Sequence, residues 1–162
     1  MRRNKHSLHH PSSLPYPVSL KLERWQRRCI YLIGATLAMT GVSWLIAHFW
    51  LRGISEFGET VHPLEPWSMK LHGAAAMFGL FFAGTLLNVH IRRALKARRN
   101  RGTGWSMIVV LLVLALSGYG LYYVAGEMDR PVWSAVHWLI GLALPFLTLL
   151  HIVWGRKSAV AR

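Results

Sequence analysis

Apolar and polar positions alternate in long blocks rather than with the short period of a strand or of a half-buried helix. Four stretches of about 20 residues carry no Asp, Glu, Lys or Arg: Ile30–Leu51, Leu71–Ile91, Trp105–Ala125 and Val132–Trp154. A helix of that length rises about 30 Å, the thickness of a hydrocarbon core. The pattern predicts an all-α membrane protein, a four-helix transmembrane bundle with spans at about 30–51, 71–91, 105–125 and 132–154. Residues 1–20, rich in Arg, His, Ser and Pro without an apolar period, read as a disordered basic tail. Residues 21–157 form the bundle domain, and 158–162 a C-terminal tail. The first apolar run starts too late and is too long for a cleavable signal peptide.

Charge adds direction. The chain has 162 residues, a mean hydropathy of +0.30 and a formal net charge of +13. Such a charge suits nucleic acid or the flanks of membrane helices, and position decides between them. Sixteen of the 19 Lys and Arg lie before span one, between spans two and three, or after span four. The opposite side holds Arg52, Lys70 and Arg130 against Glu56, Glu59, Glu65, Glu127 and Asp129. The positive-inside rule then makes both termini cytoplasmic, as in a multi-pass protein of the bacterial inner membrane. Topology accounts for the basic residues, so no nucleic acid is expected; the inner loop ALKARRNRGTG faces water and anionic lipid headgroups. The lone cysteine, Cys29, excludes an internal disulfide, a CxxC zinc ribbon and covalently attached haem. His6, His9 and His10 on the tail read as solvated residues rather than metal ligands.

Histidines inside the spans are the unexpected feature, because ionisable groups in a lipid-length helix are costly and mark function. His137 and His151 in span four are fourteen positions apart. That interval returns to within about 40° of the same face and climbs about 21 Å. His72 and His90 in span two are eighteen apart, five helical turns and a rise of about 27 Å. Spans two and four run in the same direction. His72 therefore pairs with His137 near the outer face, and His90 with His151 near the inner face. The unequal rises leave a mismatch, which helix tilt or a bend at Pro145 would absorb. Counted from Arg92 and Arg156, the outer pair is level and the mismatch falls on the inner one. Haem iron takes two axial ligands on opposite sides of a flat ring, so two such pairs suit one or two b-type haems. His48, at the outer end of span one, is an alternative outer ligand to His72. Gly34, Gly41, Gly73, Gly79, Gly84 and Gly141 permit close approach either of another helix or of a macrocycle.

SGYGLYY, a short acidic loop and HWLIGLALPFLTLLHIVWGRK resemble the last two helices of small bacterial di-haem cytochrome b membrane proteins. These are similar to the cytochrome b subunits of membrane hydrogenases and formate dehydrogenases. The resemblance spans about residues 25–157. It implies that His137 and His151 are ligands, and that the protein passes electrons between the quinone pool and a separate redox partner. The family often takes one remaining ligand from the first helix. Here the inner end of span one offers Cys29 and Tyr31, so His90 would serve. Two histidines on each of two helices is closer to respiratory-complex cytochrome b. A quinone site is conceivable at the outer face near His48, His62, Glu65, Tyr122 and Tyr123. No paired carboxylates, activated nucleophile or phosphate loop occurs in the spans, so an electron carrier is expected rather than a self-contained catalyst. The rival class is a haem-free anchor, assembly factor or transporter subunit.

Overall fold

The computed structural model describes residues 22–96 and 100–160; the basic tail with its histidines, Arg98 and Arg99 lie outside them. The chain forms α1 (Arg24–Trp50), a two-stranded antiparallel hairpin of β1 (Gly53–Ser55) and β2 (Gly58–Thr60), and α2 (Leu64–Leu86). A π-helical turn (Leu87–Ile91), α3 (Arg92–Lys96), α4 (Arg101–Tyr123) and α5 (Arg130–Val160) follow. The helices α1, α2, α4 and most of α5 are each long and apolar enough to cross a membrane. α1 packs along α2 and α4 along α5, giving two helical hairpins, and α1 also approaches α5.

Boundaries differ from those expected, for local reasons. α2 begins at Leu64, seven residues before the uncharged run. Glu65 stands in its first turn, where the helix dipole favours an anion, and Pro66 needs no backbone donor there. Lys70 continues the helix by laying its ammonium over the Trp67 ring, 4.9 Å from the centroid. α5 is continuous through Pro145 and runs on to Val160, beyond the expected start of a tail at 158. The connection between α1 and α2 holds the β1–β2 hairpin: Ser55 pairs with Gly58, whose φ of 107° favours glycine.

The interior is small and polar. Ala47 and Ala125 are the buried hydrophobic residues among those described, beside Gln26, Thr40, Glu65, Ser68, Thr103 and Ser117. No large side chain is fully buried among them. Meanwhile Leu32, Met39, Phe78, Phe81, Phe146 and Leu149 are exposed on the helices. Water would penalise that surface and hydrocarbon would not. Of the span glycines, a Cβ at Gly79 would press on Ile33 at 3.2 Å, so Gly79 serves α1–α2 packing. At Gly34, Gly73 and Gly84 a Cβ would meet open space.

Candidate cofactor site: two histidine pairs

Two sequence-distant pairs of imidazoles come together. The His72 and His137 rings, from α2 and α5, have centroids 6.1 Å apart and planes at 72°. His90, in the π turn, and His151 on α5 have centroids 6.4 Å apart and planes at 80°. Both pairings match the level-by-level expectation despite the intervals of eighteen and fourteen. His90 sits on the only π-helical turn of the described residues. The wider i→i+5 turn packs more residues into a given rise, which draws back part of the longer interval and re-aims the side chain.

The site is built by the intervening helices as well. Thr40 Oγ1 on α1 lies 2.9 Å from His72 Nδ1. Ser117 Oγ on α4 lies 2.8 Å from His137 Nδ1. Thr103 Oγ1, near the start of α4, lies 2.9 Å from His151 Nδ1. A hydroxyl has one proton to give. Thr40 Oγ1 donates to the Thr36 carbonyl at 2.7 Å and Thr103 Oγ1 to Asn100 Oδ1 at 2.7 Å. Ser117 Oγ donates to the Leu114 carbonyl at 3.2 Å. The Asn100 amide is oriented by its Nδ2, which donates to the His151 carbonyl at 3.0 Å. With the hydroxyl protons so committed, the network gives His72 and His137 a proton on Nδ1, donated to the hydroxyl oxygen, whereas His151 Nδ1 has both the Thr103 hydroxyl at 2.9 Å and the Asn100 Nδ2 donor at 3.4 Å. Nε2 of His72 and His137 is then the unprotonated nitrogen, free to accept or to bind a metal. Asn100, which caps α4, holds this position with a φ of 46°, a left-handed conformation that Asn tolerates.

Comparison of the chain with family models, with curated proteins and with solved structures finds no match. The chemistry of the donors therefore has to carry the assignment. An imidazole nitrogen bonds a metal at about 2.0–2.1 Å and lies about 1.1 Å from its ring centre. A metal in line between two imidazoles thus sets their centres about 6.3 Å apart. The two pairs, at 6.1 and 6.4 Å, fall at that spacing, which lies within the about 4.5–7 Å that edge-to-face ring pairs also adopt. No group of three or more His, Cys, Asp or Glu suited to a metal ion occurs among the described residues. Two imidazoles per site are the donors a haem would take from the protein, and His72 with His137 and His90 with His151 would hold it.

The remaining sequence candidates sit elsewhere. His48 stacks on Trp44, with centroids 4.6 Å apart and planes at 19°, and its Nδ1 contacts Glu65 Oε1 at 3.0 Å. It faces Glu65, while His72 takes the place opposite His137. Arg52 completes this outer cluster, donating to Glu65 Oε1 at 2.8 Å and Oε2 at 3.3 Å, and to Glu59 at 3.1 Å. The hydrogen bond that Arg52 donates to the Glu65 carboxylate holds the guanidinium pKa above its usual value. His62 is exposed, and its Nδ1 accepts the Leu64 N–H at 3.2 Å. Tyr122 and Tyr123 are exposed at the end of α4 and contact each other. Of the five residues considered for a quinone, His48, His62 and Glu65 are joined by hydrogen bonds and Tyr122 touches Tyr123, as two separate groups.

Sequence reasoning missed Thr40, Thr103, Ser117 and Asn100. A signal existed. The chain contains three Ser/Thr–Gly dipeptides, Thr40–Gly41, Thr103–Gly104 and Ser117–Gly118, and all three stand against a span histidine.

Proposed function

We propose that this protein carries electrons across a membrane through b-type haem, held outside by His72 and His137 and inside by His90 and His151. The observation that supports it is the pair of centroid separations, each close to what one metal between two imidazoles sets. Bound haem supplies one-electron chemistry at its iron. The chain's part is to offer an imidazole from each side of each site, so that both protein-facing sides of a bound haem would be held by histidine. Its further part is to keep Nε2 of His72 and His137 deprotonated through the Thr40 and Ser117 hydroxyls. His137 and His151 are about 21 Å apart along α5, so the two sites lie toward opposite ends of the helix.

The membrane is the bacterial inner membrane, with both termini cytoplasmic. Sixteen of 19 Lys and Arg support that orientation, since they fall at the ends of the helices nearer His90 and His151 or in the flanking tails. The electrons pass between the quinone pool and a separate redox protein. Detergent-extracted protein is expected to show b-type bands in a reduced-minus-oxidised spectrum, with two haems per chain. Protein that folds but purifies without haem refutes the proposal and leaves the haem-free anchor or assembly role.

A further inference from the structure

The geometry points to the three Ser/Thr–Gly dipeptides as clamps that set the tautomer and the ring angle of the haem-ligating histidines, an inference that rests on the function just proposed. In each unit the hydroxyl lies within hydrogen-bond distance of Nδ1, and at Gly118 the glycine also leaves room for the ring edge. A Cβ at Gly41 would lie 3.6 Å from His72 Cε1, at Gly118 3.3 Å from His137 Cε1, and at Gly104 4.0 Å from His151 Cε1. At Ser117–Gly118 the dipeptide meets the same ring twice, through a hydrogen bond and through close backbone approach; at Gly41 and Gly104 a Cβ would sit at ordinary contact distance, and the hydroxyl is the contact that holds the ring.

The spacing supports a repeated unit. Thr103 and Ser117 are fourteen apart on α4, and His137 and His151 are fourteen apart on α5. In an antiparallel helical hairpin, equal intervals bring both clamps opposite both ligands. The α1–α2 hairpin repeats the outer half of this arrangement with Thr40 and His72. Fourteen residues before Thr40 stands Gln26, buried, whose Oε1 accepts the Glu23 backbone N–H at 3.0 Å. The Ser/Thr–Gly repeat does not continue to Gln26, and α2 passes into the π turn that carries His90. α1 and α4 are therefore clamp helices, and α2 and α5 ligand helices.

A hydrogen bond from Nδ1–H to a hydroxyl oxygen makes Nε2 a stronger donor, which favours the more highly charged ferric state. Thr40→Val, Ser117→Ala and Thr103→Val remove the hydroxyl at little change in shape. The test is potentiometric titration of each purified variant, with haem content and helicity measured alongside. Thr40→Val and Ser117→Ala are expected to raise the midpoint potential of the outer haem alone, and Thr103→Val that of the inner haem alone. Haem retention at the altered site should fall about 10–100-fold. Thr40→Ser, which keeps the hydroxyl, should restore the native midpoint. Gly118→Ala should alter the electron paramagnetic resonance signal of the outer ferric haem by turning the His137 ring, while Gly104→Ala leaves the inner signal unchanged. Unchanged midpoints, a shift shared by both haems, or no rescue by Thr40→Ser would overturn the inference with the haem reading intact. A wild-type protein without haem overturns both.

Discussion

Gly120→Ala tests the packing of α4 on α5 without reference to any cofactor. An alanine in place of glycine in an unobstructed helix gains about 0.8–1.0 kcal/mol. At Gly120 the added Cβ would overlap the six-membered ring of Trp133. That ring is held from its other end, because Nε1 donates to Asp129 Oδ2 at 3.2 Å. The clash has two reliefs. The ring can move toward the cavity of about 320 Å³ lined by Val113, Leu116, Ser117, Val132 and Val136, losing a hydrogen bond worth about 0.5–1.5 kcal/mol. Alternatively α5 can back away from α4, at the about 1–3 kcal/mol typical of overpacking. Against the gain in helix propensity the net change is a loss of up to about 2 kcal/mol. Thermal or denaturant unfolding in one detergent, followed by circular dichroism, measures it. Gly34→Ala is the control: it lies in α1 with nothing within 4 Å of the new Cβ and should be neutral or stabilising. The double variant Gly120→Ala/Trp133→Ala should be less destabilised than the two single losses added together. Gly120→Ala that stabilises as much as Gly34→Ala would refute this account of the α4–α5 contact.

Two further perturbations probe the ends of the bundle. Glu65→Gln removes the charge between Arg52 and His48 at a side chain 11 % exposed; a loss of about 1.5–3 kcal/mol is expected in unfolding experiments. Glu59→Gln, at a carboxylate 70 % exposed, should change stability by at most about 1 kcal/mol; equal effects of the two would contradict the placement of Glu65. His48→Ala should leave two haems per chain, whereas His137→Ala removes the outer one and His90→Ala only the inner one. Haem loss in His48→Ala with both sites intact in His72→Ala would exchange their roles.

The histidine pairs were legible because a single helix preserves angular register over many turns, so His137 and His151 share a face whatever surrounds them. The partner's interval was harder. Eighteen residues in an ideal helix rise about 6 Å more than fourteen, and nothing in LLNVHIRR announces the π turn that lets His90 meet His151. The hydroxyl partners were hidden for a different reason. A Ser or Thr in an apolar helix commonly bonds back to its own turn, as Thr36 and Ser106 do here. Only the neighbouring helix distinguishes Thr40 and Ser117 from these. His48 illustrates the same limit: its height made it a rival to His72, but azimuth and the reach of Glu65 gave it another partner.

Length, apolar blocks and the side-to-side charge asymmetry determine, by themselves, that this chain makes four helices able to span a bilayer with histidines at two levels. These properties are local or additive, so they survive without knowledge of packing. Which imidazole faces which and which hydroxyl holds each ring depend on contacts between residues up to 65 positions apart, as with His72 and His137. Such contacts follow from how the α1–α2 and α4–α5 hairpins settle against each other. The tertiary structure therefore decided the site, and the sequence its ingredients.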